Sequence, residues 1–368
     1  MMKASRGIKQ RLFELGILGG LLAIGGAIVV ALGLVPIKAS SGNWPITTWT
    51  MSFASGRSIA AHSASIKVPP LDEPEMVQLG AATFESNCAW CHGSPLRPHA
   101  VVAGGMTPPP PQLSKTAAKW KSRELFYIVK HGIKFTGMPA WPTQHREQEI
   151  WPVVAFLREF EFMSDTEYQG RLRSNYNKTN VTNEATVLQN CTSCHGTDGK
   201  SIAGPRVPNL NGQNAVYLAA SLQAFRVGNR PSGIMQPIVA RLSLDELQNV
   251  AKHYSSQPRD SFSTNKFDGQ EAYSDDLAEG RRLIRDGDQK SKIPSCIDCH
   301  GPTDYSEPSY PLLAGQSKVY IEQQLQLFGN RTRSGVESGP MHKIADKLSP
   351  KQRQQVALAY SVMLAVDR

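Results

Sequence analysis

All six cysteines of this 368-residue chain fall in pairs, Cys88 with Cys91, Cys191 with Cys194 and Cys296 with Cys299, and each pair is followed at once by a histidine, His92, His195 and His300. The spacing is that of porphyrin attachment. Two thiols become thioethers to the haem vinyl groups, and the adjacent imidazole is carried beneath the iron as proximal ligand. A zinc ribbon needs paired sulfur sites without an obligatory histidine, and a redox dithiol needs no histidine. With nine histidines in the chain, three at that position by chance have a probability on the order of 10⁻⁵. The sequence predicts three covalently bound haem c groups.

A six-coordinate haem of this kind needs a distal ligand, and methionine is the one that raises the reduction potential. Met138 lies 46 residues after His92, Met235 lies 40 after His195 and Met341 lies 41 after His300. Only these three of the ten methionines share that register; any single one would otherwise read as core filler. The expected iron ligands are His92 with Met138, His195 with Met235 and His300 with Met341, and His342 could compete with its neighbour. No catalytic residue is expected. A shared Pro-x-Leu element begins at Pro111, Pro208 and Pro311, and its proline carbonyl could accept from the ring N–H opposite the iron, fixing the tautomer.

These residues must be positioned by helices. Glu75–Asn87 and Asp276–Asp286 read as helices leading into haem motifs, with Gly80 and Phe84, or Gly280 and Ile284, four apart on one face. The middle segment has only a short equivalent before Cys191. Each segment closes with a helix: Arg146–Phe160, Leu244–Tyr254 capped by Ser243, and Pro350–Met363 with Ser349 at the cap. No period-2 strand appears. The run Pro108 to Pro111 reads as a haem-crevice loop rather than a partner-binding polyproline motif. Segments two and three repeat each other: Gln213, Tyr217, Phe225 and Arg230 recur 103 residues on as Gln316, Tyr320, Phe328 and Arg333. The offset then becomes 106, carrying Met235, Ser243 and Val250 to Met341, Ser349 and Val356. The first segment keeps only the motif, Pro111-Gln112-Leu113 and the loop around Met138.

The formal charge of +9 is unevenly spread. Residues 1–38 hold five basic and one acidic side chain, whereas residues 261–368 hold fourteen of each. An uncharged apolar run from Leu15 to Ile37 follows Lys3, Arg6, Lys9 and Arg11, and Trp44 and Trp49 lie just beyond it. That pattern reads as a retained single-pass anchor at residues 15–37, since a cleaved signal has a shorter apolar region and a small-x-small exit. The positive-inside rule puts residues 1–14 in the cytoplasm and the rest in the periplasm, tethered to the inner membrane. No basic, aromatic-interleaved surface supports nucleic-acid binding. A local patch of Lys115, Lys119, Lys121, Arg123, Lys130 and Lys134, opposed there only by Glu124, could steer an acidic partner or be a solvated face.

On these motifs the chain resembles class I c-type cytochromes over residues 70–368. The tandem of segments two and three is similar to the dihaem cytochromes c that feed terminal oxidases, in its Gly-Gln-x-x-x-Tyr stretch and in Met235-Gln-Pro-Ile-Val-Ala240. The third segment departs, reading Met341-His342-Lys343. The triheme subunits of membrane-bound alcohol and gluconate dehydrogenases are another parallel. The resemblance implies an all-α fold of three tandem cytochrome c domains after a transmembrane helix. The polar, turn-rich stretches Asp165–Asn183 and Arg259–Ser274 read as boundaries, giving domains at residues 71–164, 165–258 and 276–368, with linkers at 38–70 and 259–275. It implies an electron carrier between a respiratory donor and acceptor, terminal oxidase or dehydrogenase. The alternatives are the cytochrome subunit of a dehydrogenase complex, or a haem enzyme such as a peroxidase or reductase with an open iron position.

Overall fold

The computed structural model describes residues 2–35, 37–172, 183–259, 274–301, 307–335 and 338–363. Among them all regular structure is helical, and extended pairing is limited to isolated bridges at Ser94–Arg97 and Asp288–Ile293. Helix α1 (Met2–Ala31) contains, in Gly7–Ala31, a stretch long and apolar enough to cross a bilayer. The helix stops six residues short of the expected end at Ile37. Gly33 adopts φ +66°, Leu34 N–H bonds Val29 O at 3.0 Å and Gly33 N–H bonds Val30 O at 3.0 Å, a left-handed glycine closure.

The stretch expected as a linker, residues 38–70, instead carries α2 (Pro45–His62). Its last turns dock on the first haem segment: Ile59 is buried, and His62 stacks on Tyr127 at 5.9 Å. Ahead of it, Thr107 Oγ1 donates to Ala39 O at 2.7 Å. Trp44, Ile46, Trp49 and Phe53 remain exposed.

The first segment contains α3 (Pro74–Asn87), α4 (Ala89–His92), α5 (Val101–Gly104), α6 (Leu113–Thr116), α7 (Ser122–His131), α8 (Ile150–Glu159) and α9 (Asp165–Leu172). Helices α3 and α8 cross most closely at Gly80, where any side chain would run into the Pro152 carbonyl. Phe84 then fits against Phe156 at 5.2 Å and Phe160 at 5.1 Å. Helix α9 amends the expected boundary at Asp165. Its Tyr168 is fully buried against Phe156 and Phe160 and donates to Glu85 Oε2 at 2.6 Å, so residues 165–172 pack with the first segment rather than opening the second. The rest of the expected boundary, residues 173–182, lies outside the described residues, as do residues 260–273 of the second one.

The second segment has α10 (Asn183–His195), α11 (Ala215–Arg226), α12 (Met235–Val239) and α13 (Leu244–Ser255); the third has α14 (Ser274–Asp286), α15 (Cys296–His300), α16 (Lys318–Gly329), α17 (Gly339–Lys347) and α18 (Pro350–Ser361). The α14–α18 crossing repeats the device of the first segment, with Gly280 under the Gln355 carbonyl. Ser243 caps α13 and Ser349 caps α18, each through the N–H three residues on, as their sequence predicts.

The two repeats meet about an internal dyad made of the residues they share. Gln213 donates to Leu312 O at 3.0 Å and accepts from Leu312 N–H at 2.8 Å. Its repeat mate Gln316 does the same to Asn209, at 2.9 Å both ways. Each arginine of the next pair lies over the phenylalanine of its own segment, Arg230 on Phe225 at 4.4 Å and Arg333 on Phe328 at 4.5 Å, and reaches a tyrosine of the other: Arg230 to Tyr320 Oη at 2.7 Å, Arg333 to Tyr217 Oη at 3.3 Å.

Candidate haem sites

Each motif ends a helix at its histidine, with Cys88 at the cap of α4 and the other five cysteines within α4, α10 and α15, which brings both cysteines and the imidazole onto adjoining turns. The three rings are held alike. His92 Nδ1 lies 2.9 Å from Pro111 O, His195 Nδ1 3.0 Å from Pro208 O and His300 Nδ1 2.9 Å from Pro311 O, as the shared Pro-x-Leu element predicts. A carbonyl only accepts, so Nδ1 carries the proton and Nε2 keeps a lone pair for a metal. Burial pulls the imidazoles down, against the proline carbonyls that pull them up; His195 falls to about 4, and His92 and His300 fall as well. The rings are thus neutral at physiological pH, the state a ligand requires.

Burial also pushes the thiols up, Cys88 and Cys191 to about 12 and Cys194 and Cys296 to about 11, with Cys91 and Cys299 raised too. No disulfide joins them, and among the described residues no three His, Cys, Asp or Glu side chains converge as a metal-binding cluster. A zinc ribbon would need such a cluster of thiolates.

The second and third sets open into one continuous cavity of about 550 Å³. Its wall includes Cys191, Cys194, His195 and Met235 from one repeat, and Cys296, Cys299, His300 and Met341 from the other. His342, the competitor for Met341, is not in the wall: its Nε2 lies 2.8 Å from Arg333 O and its ring stands edge-on to Phe328. The first set lies outside this cavity. Met138 is placed by its own loop, its N–H bonded to Thr136 Oγ1 at 3.1 Å and its carbonyl accepting from Ile133 N–H at 3.2 Å; Phe135 of the same loop and Trp90 of the haem motif are exposed.

The wall of the shared cavity is mostly apolar and carries four guanidiniums, Arg146, Arg206, Arg230 and Arg333. Arg146 is paired with Glu149 and Arg206 with Glu73, and among the described residues Arg230 and Arg333 meet no carboxylate in the wall. Nε of Arg146 and Nε of Arg230 are buried without a protein partner. Burial pushes the Tyr217 phenol up, but Arg333 and Arg230 outweigh it and bring it down to about 7. Such a wall fits a flat apolar occupant bearing carboxylates, as a haem with two propionates is. Arg146, Glu149 and Leu79 belong to the first segment, a contribution to the second site that motif spacing did not reveal.

The family model described as cytochrome c oxidase, cbb3-type, subunit III matches residues 75–157, and the one described as cytochrome c matches residues 183–253. The thiosulfate dehydrogenase electron acceptor of Stutzerimonas stutzeri strain A1501 is 36% identical over 170 residues, 45% of this chain and 76% of that protein. Cytochrome c4 of Stutzerimonas stutzeri is 33% identical over 180 residues, 44% and 78% respectively. The solved cytochrome c4 of Acidithiobacillus ferrooxidans covers 47% of this chain and 98% of its own, at 30% identity and a TM-score of 0.41. Imidazoles oriented for a metal beside paired thiols, read with the two family models and the two relatives matched by sequence, mean that the chain belongs to the cytochrome c family and is an electron carrier with covalently bound haem c, homologous to cytochrome c4.

Proposed function

We propose that this carrier holds three haem c groups in three cytochrome c domains, is anchored in the inner membrane with its haem domains in the periplasm, and passes single electrons between respiratory partners without substrate chemistry of its own. The observation that carries the reading is the threefold repeat of the proximal arrangement, with one methionine in register for each. Cys88, Cys91, Cys191, Cys194, Cys296 and Cys299 would hold the porphyrins, His92, His195 and His300 would ligate from one side, and Met138, Met235 and Met341 from the other. Haem c supplies the one-electron chemistry when bound. The chain's residues would supply neutral imidazoles of fixed tautomer, thioethers that would raise the potential as ligands, and guanidiniums that could pair with the propionates. The test is the mass and spin state of the purified holoprotein. Three haems per chain, all low-spin and inert to carbon monoxide, are expected. Two haems would end the triheme reading, and a high-spin signal in fresh protein would support an enzyme instead.

A relative named as the electron acceptor of thiosulfate dehydrogenase supports an enzyme of that class as donor. Stopped-flow mixing with thiosulfate dehydrogenase and thiosulfate should reduce the haems at a rate that saturates with enzyme. Reduction by a quinol-oxidising complex alone would point to a different donor. The likeness of residues 75–157 to an oxidase subunit supports a terminal oxidase on the acceptor side.

A further inference from the structure

Pro231, Ser232 and Gly233, which lead to Met235, are each held from the first segment. Glu149, 6% exposed, accepts from Ser232 Oγ at 2.6 Å through Oε1 and from Gly233 N–H at 2.8 Å through Oε2. The same carboxylate is fixed on its own side by Arg146 at 2.9 Å and by Trp141 Nε1 at 3.3 Å. Arg146 also donates to Pro231 O at 3.0 Å, and Asn87, the residue before Cys88, donates to Gly233 O at 3.0 Å. Gly233 lies against the Trp141 indole so closely that no side chain fits there. Ser232 passes the restraint on: its Oγ, while donating to Glu149, accepts from Ile234 N–H at 3.2 Å and Met235 N–H at 3.0 Å.

We infer that Glu149 and Ser232 are positioning residues for the axial ligand of the second haem, so that the first segment fixes the methionine ligation of its neighbour. The inference rests on Met235 being that ligand. A thioether is a neutral, weak donor to iron, so the strength of its bond depends on how well the backbone holds the sulfur in place, and outer-sphere partners of metal ligands commonly matter by factors of ten or more. Here the partner two bonds back is a buried carboxylate from a different segment. Its charge is matched by Arg146, which leaves geometry as what it contributes.

The second haem can be observed alone in a holoprotein carrying Met138→His and Met341→His, where the methionine-to-ferric-iron absorption arises from Met235 only. Titration with imidazole then measures how readily that methionine is displaced. Ser232→Ala and Glu149→Ala should each lower the imidazole concentration needed by about tenfold or more, and Ser232→Thr, which keeps the hydroxyl, should restore it. Glu73→Gln, which breaks the Arg206–Glu73 pair (2.8 Å) at the rim of the same interface, should leave it unchanged. Equal displacement in Ser232→Ala, Glu149→Ala and their parent, with all three haems retained, would overturn the inference. An equal loss in Glu73→Gln would also overturn it, reducing the effect to general docking. Absence of the absorption in the parent itself would instead remove Met235 as the ligand, and the inference with it.

Discussion

Arg230 shows how much one side chain of this protein is asked to do. Its guanidinium lies on Phe225, donates to Tyr320 Oη and to Gln324 Oε1 at 2.9 Å, and lines the shared cavity. Lysine would keep the charge and lose the planar fork, so Arg230→Lys should cost about 2 kcal/mol of stability through lost charge-assisted hydrogen bonds. Denaturant unfolding followed at the haem absorption measures it, and a loss under about 0.5 kcal/mol would mean that these contacts are not formed in the holoprotein. The match of Arg230 with Arg333 was plain in the sequence because both lie at the same place in a 103-residue repeat. That each arginine serves the opposite repeat was not, since a sequence offset carries no information about which copy a side chain faces. Glu149 was less visible still. It read as an ordinary residue of a closing helix, whereas its partners Ser232 and Gly233 lie more than eighty residues away.

Among the elements, the helices were legible where periodicity and caps agree. Helices α3, α13, α14 and α18 fall within two residues of their expected ends, because each has a clear apolar face or a capping residue. Helices α2 and α9 were missed: the first is rich in Ser and Thr and mostly exposed, and the second is a short polar helix ordered by the burial of Tyr168. The α3–α8 crossing makes a sharp prediction. Gly80→Ala must push the helices apart and should cost about 1–3 kcal/mol, read as a lower thermal midpoint, whereas Gly170→Ala, with open space around it, should leave the midpoint within a degree or two. The matched caps behave differently in acid. Glu246 accepts from Ser243 backbone and side chain, which holds its carboxyl below the usual range, while the equivalent position on α18 is Gln352. A depressed carboxylate contributes stability above its unfolded pKa and loses it as pH falls through the folded value. Amide exchange at the start of α13 should therefore speed up as pH falls through the carboxylate range, after correction for intrinsic rates, and that at the start of α18 should not; a common profile would refute the assignment.

At the scale of the whole molecule, the dyad makes segments two and three a unit and leaves the first as its neighbour. Removing both glutamines at once, Gln213→Leu with Gln316→Leu, should split a single unfolding transition of this pair into two in calorimetry; one unchanged transition would show that the shared cavity and its occupants suffice to couple them. The lysine patch on the first segment keeps Lys115, Lys119, Lys121 and Lys134 exposed, while Lys130 is taken up by Glu147. If the patch steers a partner, Lys119→Glu with Lys121→Glu lowers the bimolecular electron-transfer rate and flattens its salt dependence, and equal rates would return these lysines to ordinary surface. The docking of α2 bears on how such encounters happen at all. With Ile59 buried, His62 against Tyr127 and Ala39 held by Thr107, only 13 residues separate the end of α1 from a helix fastened to the first segment, a reach of at most about 45 Å. With α1 in a bilayer, that mounting would replace a search through volume by one across a surface, and the encounter rate with a membrane-bound partner would depend on how many copies share an area of membrane rather than on concentration in the surrounding fluid.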